Sequence, residues 1–310
     1  MRIAVPDLIS PSYFPAVAAV DLGLAREEGV DVELDLLYPV TDAARALRAG
    51  EIDFLAGAAH APMHAFPQWR GVKLVAALSR HMYWFLIMRA DLGIARGDLA
   101  ALRGVRIGAA PGPDLGLRRL LADAGIDAER HGVDVGPVPA TDGAGTSFGL
   151  AAAQALEQGL IDGFWANGMG AELAIQRGTG TLVLDARRGD GPPAARDYTF
   201  PALAVTDHTI TRHPDAVAAM TRAITRAQAL LRADPDRATE IGHRLFPPHE
   251  ATIIAELIRR DTPYYTPHIT EETSRSLSDF GIATGLLDSP AAHDTIVATA
   301  FRHLWTPTGR

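Results

Sequence analysis

Short apolar segments alternate with segments of helical periodicity along the first part of the chain. Arg2–Val5 is a short apolar run, and residues 30–38 place Val and Leu on one side and acids on the other, as strands do. Between them, apolar side chains recur at the spacing of a helix. A further helix that ends at Gly50 and a strand over 53–58 give the order β-α-β-α-β. This order predicts a parallel sheet covered by helices.

The same alternation returns further along the chain. Strands are predicted at residues 72–78, 84–90, 106–110, 133–138, 162–166 and 181–184. Residues 187–197 contain Gly-Asp-Gly-Pro-Pro, which is typical of an exposed loop. From Pro214 onward the pattern is helical, because apolar residues keep one face and proline suits the first turn.

The length of the chain favours two lobes. Its 310 residues exceed the roughly 100–200 that are usual for one domain, and 47% of them are hydrophobic, which is enough to build a core. We predict an α/β protein in which residues 1–90 and 200–310 form lobe I and residues 91–199 form lobe II. A ligand cleft is expected between the lobes.

Composition excludes several classes of chemistry. The net charge is -8 and the chain has no block of Lys and Arg, which argues against nucleic-acid binding. The absence of cysteine excludes thiolate nucleophiles, disulfides and cysteine-ligated metals. Lys73 is the only lysine, so a Schiff-base mechanism would have one candidate residue. No apolar run approaches the roughly 18–20 residues that cross a bilayer.

The start of the chain bears on location. Residues 1–5 already have the pattern of the first strand, so the given sequence does not begin with a recognisable signal peptide. We expect a periplasmic protein if a leader was removed, and a cytoplasmic protein if Met1 is the native start.

Four stretches resemble the substrate-binding proteins of ABC transporters of the nitrate/sulfonate/taurine type and their thiamine-pyrimidine-synthase-like relatives, in order and in spacing. They are Tyr13-Phe14-Pro15 followed by AVDLGLAREEGVDVEL, then DAARALRAGEIDFLAGAAH, LRGVRIGAAPG and ALEQGLIDGFWA. The resemblance implies a periplasmic-binding-protein-like fold of type II. Two crossover hinge strands, here near residues 88–91 and 197–202, would join the lobes, and a helical tail would end the chain. Hinge closure over a small-molecule ligand and an ABC transporter permease as partner are also implied.

Candidate ligand-binding residues come from the rule that open parallel sheets bind ligands outside the carboxyl ends of their strands. They are Ser10, Ser12, Tyr13, His60, Tyr83, Trp84, Pro111, Gly112, Trp165, Asn167 and Tyr198. The rings among them suit a planar ligand. Helix N-termini after Pro11 and Gly112 would suit an oxyanion, so an anionic ligand is one option.

Each candidate also has an ordinary structural explanation. One ring of each aromatic pair could pack in the core, and Asn167 could be a turn residue. Asp7 could pair with a ligand cation or cap a turn. His60 and His64 have the i, i+4 spacing of a helical metal site, but no third ligand is evident nearby. No metal site and no cofactor are predicted.

Recognisable catalytic motifs are absent. The chain has no Gly-x-Ser-x-Gly and no His-Glu-x-x-His, so no catalytic residue is predicted and a solute-binding protein is favoured. The alternative is a cytosolic, cofactor-independent decarboxylase or dehydratase of a small organic acid with His60 or His81 as acid or base. The thiamine-pyrimidine synthases use a lysine and a cysteine-rich motif, and this chain lacks the latter.

Overall fold

The computed structural model describes residues 1–139 and 147–306, which form two compact units. One unit consists of Met1–His81 and Thr199–Arg310, and the other of Met82–Tyr198. None of the helices in the described ranges is both long enough and apolar enough to span a membrane.

The first unit is built on a mixed sheet. Its strands, numbered along the chain, are β1 (Arg2–Val5), β2 (Glu33–Leu36), β3 (Phe54–Ala58), β4 (Val72–Ala77) and β10 (Pro201–Thr206). They lie in the order β2-β1-β3-β10-β4. β1 is parallel to β2 and β3, whereas β10 is antiparallel to β3 and β4. The carboxyl ends of β1 to β4 therefore share the edge at which β10 begins.

Helices flank this sheet. They are α1 (Phe14–Asp21), α2 (Leu24–Glu27), α3 (Val40–Ala49), α8 (Asp207–Arg212), α9 (Pro214–Ala233), α10 (Arg237–Leu245), α11 (Pro248–Asp261), α12 (Glu271–Ala283) and α13 (His293–Ile296). α3 ends at Gly50, whose φ of 75° is a left-handed value that glycine adopts at little cost. Gly57 lets α3 approach β3, because an added Cβ would lie 2.9 Å from Val40 Cγ2.

The core of the first unit joins both ends of the chain. Leu47 of α3, Leu55 of β3 and Leu74 of β4 pack in one cluster with Phe200 and with Leu277 of α12. All five side chains are buried. Each contributes about 1.5–3 kcal/mol relative to an exposed position. The C-terminal helices are therefore part of the unit that contains β1.

The second unit has a sheet of the same pattern. Its strands are β5 (Phe85–Arg89), β6 (Arg106–Ala109), β7 (Asp134–Gly136), β8 (Gly163–Ala166) and β9 (Gly180–Asp185), in the order β7-β6-β8-β5-β9. β6 is parallel to β7 and β8, whereas β5 is antiparallel to β8 and β9. Phe85 lies opposite Ala166 and Asp185, so β8 and β9 end at the edge at which β5 begins.

The helices of the second unit are α4 (Pro113–Asp123), α5 (Ala128–His131), α6 (Phe148–Glu157) and α7 (Gly168–Gln176). α6 and α7 touch backbone to backbone, since a Cβ on Gly170 would lie 2.4 Å from Gly149 O. Ile87, Leu156 and Phe164 form part of the core beneath these two helices.

Two local predictions can be compared with the structure. A crossover hinge strand is predicted near residues 197–202, and the structure has β10 at Pro201–Thr206, a strand that is paired on both sides within the first sheet. The exposed loop predicted at 187–197 contains short 3-10 turns, and Arg187 is only 2% exposed. Gly, Pro and charged residues favour solvent on average, but here Asp185 caps the first turn by accepting the N–H of Arg188 at 3.2 Å.

The first crossover was expected near residues 88–91. Residues 85–89 form β5, within the strand predicted at residues 84–90, and β5 is hydrogen-bonded on both sides in the second sheet. The predicted lobe boundaries at 90/91 and 199/200, with the cleft expected between the lobes, stay predictions.

Candidate functional site

The turn between β1 and α1 carries buried polar groups at the carboxyl edge of the first sheet. Asp7 Oδ1 accepts the N–H of Ile9 at 2.9 Å, so Asp7 does form a turn. Ser12 Oγ donates to Asp261 Oδ2 at 2.9 Å. Ser10 is fully buried, and its Oγ has no hydrogen-bond partner among the described residues. The turn therefore holds one hydroxyl that is engaged and one that is not.

Tyr13 completes this turn and precedes α1. Its N–H donates to Ser10 O at 3.2 Å, and its side chain is buried. The hydroxyl of Tyr265 donates to Pro11 O at 2.7 Å, which fastens the turn to the segment after α11. The predicted residues of this turn are thus held in place by a distant part of the same unit.

His60 follows β3 and is fully buried. Its Nδ1 lies 3.0 Å from Thr199 Oγ1, just before β10, and the rings of Phe280 and His64 pack edge-on at 5.4 and 6.1 Å. In the described ranges no group of three His, Cys, Asp or Glu residues is placed to hold a metal. The His60 ring is thus held in a fixed orientation at the strand edge.

Three aromatic rings gather at the corresponding edge of the second sheet. The ring centroids of Tyr83 and Trp84 are 4.5 Å apart, and those of Trp84 and Trp165 are 6.2 Å apart. The guanidinium carbon of Arg187 lies 5.9 Å from the Tyr83 centroid, within cation–π range. Trp165 Nε1 is buried and has no partner among the described residues. All three rings are buried, as Trp165 is 0%, Tyr83 1% and Trp84 4% exposed. Apolar surroundings with a few polar groups are typical of small-molecule sites.

Two helix N-termini lie at this edge and differ in charge. Gly112, with φ 95°, precedes α4, and its N–H donates to Asp114 Oδ1 at 2.9 Å. Asp114 lies in the first turn of α4, and Pro111, before Gly112, is exposed. Asn167 caps α7 by accepting the N–H of Met169 at 3.2 Å, and the first turn of α7 has no acid. The α7 N-terminus is accordingly the better place for an anion.

Tyr198 is buried against α4 in the second unit. Its hydroxyl donates to Asp123, which also pairs with Arg119 at 2.6 Å. Burial, together with this bond to Asp123, raises the pKa of Tyr198 above its ordinary value. The hydroxyl is therefore already engaged, and only the ring could serve a ligand.

The structure also shows residues that sequence reasoning missed. Asp261 accepts the hydrogen bond of Ser12 from 249 positions away. Thr199 bonds to His60 from 139 positions away. No local sequence pattern reveals contacts over such separations. Tyr38 could have been found, because it follows β2 and the strand-end rule applies there as well. Its side chain is 48% exposed.

Residues 10–238 match a family model described as NMT1/THI5 like. The chain belongs to the NMT1/THI5-like family. This membership agrees with the resemblance to nitrate/sulfonate/taurine-type binding proteins and their thiamine-pyrimidine-synthase-like relatives. No curated protein sequence matches the chain.

Solved structures share the fold of this NMT1/THI5-like chain. A ligand-binding component of an ABC-type import system from Staphylococcus aureus, with zinc bound, has a TM-score of 0.74 at 15% identity, covering 99% of both chains. The periplasmic nitrate-binding protein NrtA from Synechocystis PCC 6803 has 0.72 at 15%, covering 98% of this chain and 87% of its own. The alkanesulfonate-binding protein SsuA from Xanthomonas axonopodis pv. citri, bound to MOPS, has 0.69 at 16%, covering 96% and 97%. The predicted periplasmic-binding-protein-like α/β fold with a helical C-terminal region is confirmed.

The predicted site residues of the NMT1/THI5-like chain gather in two groups. Ser10, Ser12, Tyr13 and His60 lie at the carboxyl edge of the first sheet. At the corresponding edge of the second sheet lie Tyr83, Trp84, Pro111, Gly112, Trp165 and Asn167, and Tyr198 is bonded to Asp123 of α4. Their contact with a ligand stays a prediction.

Proposed function

We propose that this NMT1/THI5-like chain is the solute-binding protein of an ABC-type import system. It closes over a small planar organic ligand that carries an anionic group. This role implies a membrane permease as partner and a periplasmic location. The eleven residues of the predicted site are proposed to contact the ligand.

The observation that carries the proposal is the aromatic cluster of the second unit. Tyr83, Trp84 and Trp165 stand together at the edge where β8 ends. Beside them Asn167 opens α7, a helix of nine residues whose first turn has no acid. Aromatic faces favour planar groups by about 0.5–1.5 kcal/mol beyond the buried area, and a helix N-terminus favours an anion.

The solved structures support the same role in a second way. The proteins from Staphylococcus aureus, Synechocystis and Xanthomonas are named as a ligand-binding component of an import system, a nitrate-binding protein and an alkanesulfonate-binding protein. Two of these three names state small oxyanions or sulfonates. An anionic ligand for this chain is consistent with them.

The experiment is a thermal-shift screen with benzoate, benzenesulfonate, cyclohexanecarboxylate, nitrate and flexible aliphatic amines. A ligand present at 100 times its Kd should stabilise the protein by about 2.7 kcal/mol. We expect the two aromatic anions to raise the melting temperature most. A screen in which only the aliphatic amines bind would refute the planar anion.

A pair of charge variants tests the place of binding. Asn167→Asp keeps a capping side chain but adds a negative charge at the α7 N-terminus, and it should weaken aromatic-anion binding at least about tenfold, or about 1.4 kcal/mol. Thr270 caps α12 by accepting the N–H of Thr273 at 3.1 Å, so Thr270→Asp is the matched control and should leave affinity unchanged.

NMR of each bound compound separates binding from turnover. A ligand that stays chemically intact supports the import role. A ligand that is consumed at catalytic protein concentrations would instead make the chain a cofactor-independent enzyme, and His60→Ala or His81→Ala should then abolish the reaction.

A further inference from the structure

Trp165 lies on the central strand of the second sheet, one residue before β8 ends. It is opposite Leu86 of β5 and Ala109 of β6, so it has a neighbouring strand on each side. Phe164 and Ala166 pack into the core beneath α6 and α7. Because side chains alternate along a strand, the Trp165 ring lies on the other face of the sheet.

Trp84 is an aromatic neighbour of this ring. The planes of the two rings are tilted by 50°, with their centroids 6.2 Å apart. α4 packs against Trp84 in turn, since a Cβ on Gly116 would lie 3.4 Å from Trp84 Cζ3. The buried indole of Trp165 is therefore fixed in place by rings and by the strands beside it.

The indole nitrogen of Trp165 lacks a hydrogen-bond partner in the structure. In the described ranges, the buried indole nitrogens without a partner are those of Trp69 and Trp165. Trp305 shows the usual arrangement, because its Nε1 donates to Val75 O at 2.9 Å. An indole N–H can only donate, and a buried donor without an acceptor costs free energy, so each such group needs an explanation.

The two unpartnered indoles differ in their place in the fold. Trp69 directly precedes the short stretch that leads into β4, so it lies at the amino edge of the first sheet. Trp165 lies at the carboxyl edge of the second sheet, in one cluster with Tyr83 and Trp84. Ligands of open sheets bind at carboxyl edges. An acceptor supplied by a ligand is therefore expected at Trp165 and not at Trp69.

We propose that the indole N–H of Trp165 donates to an oxygen of the anionic group of the ligand. The rings that stack on the planar part of the ligand are those of Tyr83 and Trp84, and Trp165 contributes the edge that carries its N–H. A hydrogen bond to a charged oxygen is roughly twice as strong as a neutral one. This inference rests on the proposed function and names its ligand class, an aromatic carboxylate or sulfonate.

This contact makes Trp165 a specificity-determining residue. Benzoate and benzamidinium have the same planar shape, but benzamidinium carries N–H donors where benzoate carries oxygens. A site built to donate a hydrogen bond rejects a compound that cannot accept it. Benzamidinium should therefore bind at least about tenfold more weakly than benzoate.

Calorimetric titration of benzoate and benzenesulfonate into the whole protein tests the donor. Trp165→Phe keeps an aromatic ring and removes the N–H, so it should weaken both anions at least about tenfold. Trp69→Phe is the matched control, because it deletes the same unpartnered atom from a side chain that is also buried. It should leave both affinities unchanged.

NMR of the wild-type protein observes the bond itself. The chain has four tryptophans, so a proton–nitrogen correlation spectrum should show four indole N–H signals, assigned with Trp→Phe variants. Benzoate should move the Trp165 signal downfield and slow its exchange with water, whereas the signals of Trp69 and Trp305 should stay in place. Should Trp165→Phe not fold, the other three variants assign the Trp165 signal by elimination.

The outcomes separate this inference from the function on which it rests. If the two anions bind but leave the Trp165 signal in place, or bind Trp165→Phe as tightly as the wild type, the donor role is wrong and the planar-anion proposal stands. An internal water that holds the N–H would give this same result. If neither anion binds, both proposals fail.

Discussion

The two buried serines of the β1–α1 turn should respond in opposite ways to the same substitution. Ser12→Ala removes the hydroxyl that donates to Asp261 Oδ2 at 2.9 Å, and both residues are more than nine-tenths buried. A hydrogen bond to a charged group contributes about 1.5–3 kcal/mol, and its loss leaves a buried carboxylate with one donor fewer. We expect the free energy of unfolding of the first unit to fall by about 2 kcal/mol, which lowers its melting temperature by roughly 4–8 °C.

Ser10→Ala is the matched control, because it deletes the same atom two residues away. The Ser10 hydroxyl is buried with no partner in the described part of the chain. Its removal also relieves the cost of an unsatisfied group, so the free energy of unfolding should change by less than about 0.5 kcal/mol or rise.

Urea unfolding followed by tryptophan fluorescence, with calorimetry alongside, measures both variants. The urea midpoints are compared at equal slope, since a changed slope would mean that a different amount of structure unfolds. Equal losses in the two variants, or no loss in Ser12→Ala, would refute the assignment of the energy to the Ser12–Asp261 bond.

Three further outcomes follow from the contacts described above. Tyr198→Phe should reduce the loss of stability at alkaline pH, which urea midpoints measured from pH 9 to 12 would show. The pKa of the Tyr198 phenol is raised in the folded protein, so the phenol stabilises the fold fully below its pKa in the unfolded chain, about 10, and this stabilisation is lost as the pH rises above that value. Gly170→Ala should cost about 1–3 kcal/mol or more in thermal unfolding, because the new Cβ meets a backbone oxygen. Trp305→Phe should cost about 1–2 kcal/mol more than Trp165→Phe in the same assay, because both make a buried ring smaller but only Trp305 also loses a 2.9 Å bond to a strand carbonyl.

The sequence predicts strands best where an apolar run is bounded by clear turn residues. Arg2–Val5 was predicted to the residue, since Pro6 ends the run. The strand over 30–38 shrinks to Glu33–Leu36, because alternation continues past the last hydrogen bond to the neighbouring strand. Pro201–Thr206 could not be recognised as a strand between two others, since its partners lie more than a hundred positions away.

The candidate site divides in the same way. The rule on strand ends needs only the position of each strand, and it led to Trp84 and Trp165, whose rings do meet. It says nothing about which polar groups are already engaged. Side-chain geometry decides this, and the order of residues does not reveal it. Two examples are the bond from the N–H of Gly112 to Asp114 and the bond from Tyr198 to Asp123.

The place of β10 has a consequence for synthesis of the protein. β10 lies between β3 and β4, yet the whole of Met82–Tyr198 separates it from them along the chain. The second unit is continuous and can complete its sheet as it leaves the ribosome. At a translation rate of about 5–20 residues per second, roughly 6–25 s pass between the synthesis of β4 and the synthesis of β10, the strand that pairs with both β3 and β4. The part of the protein made first is thus the last to finish folding, and its open strand edges are where chaperones or misassembly compete during that interval.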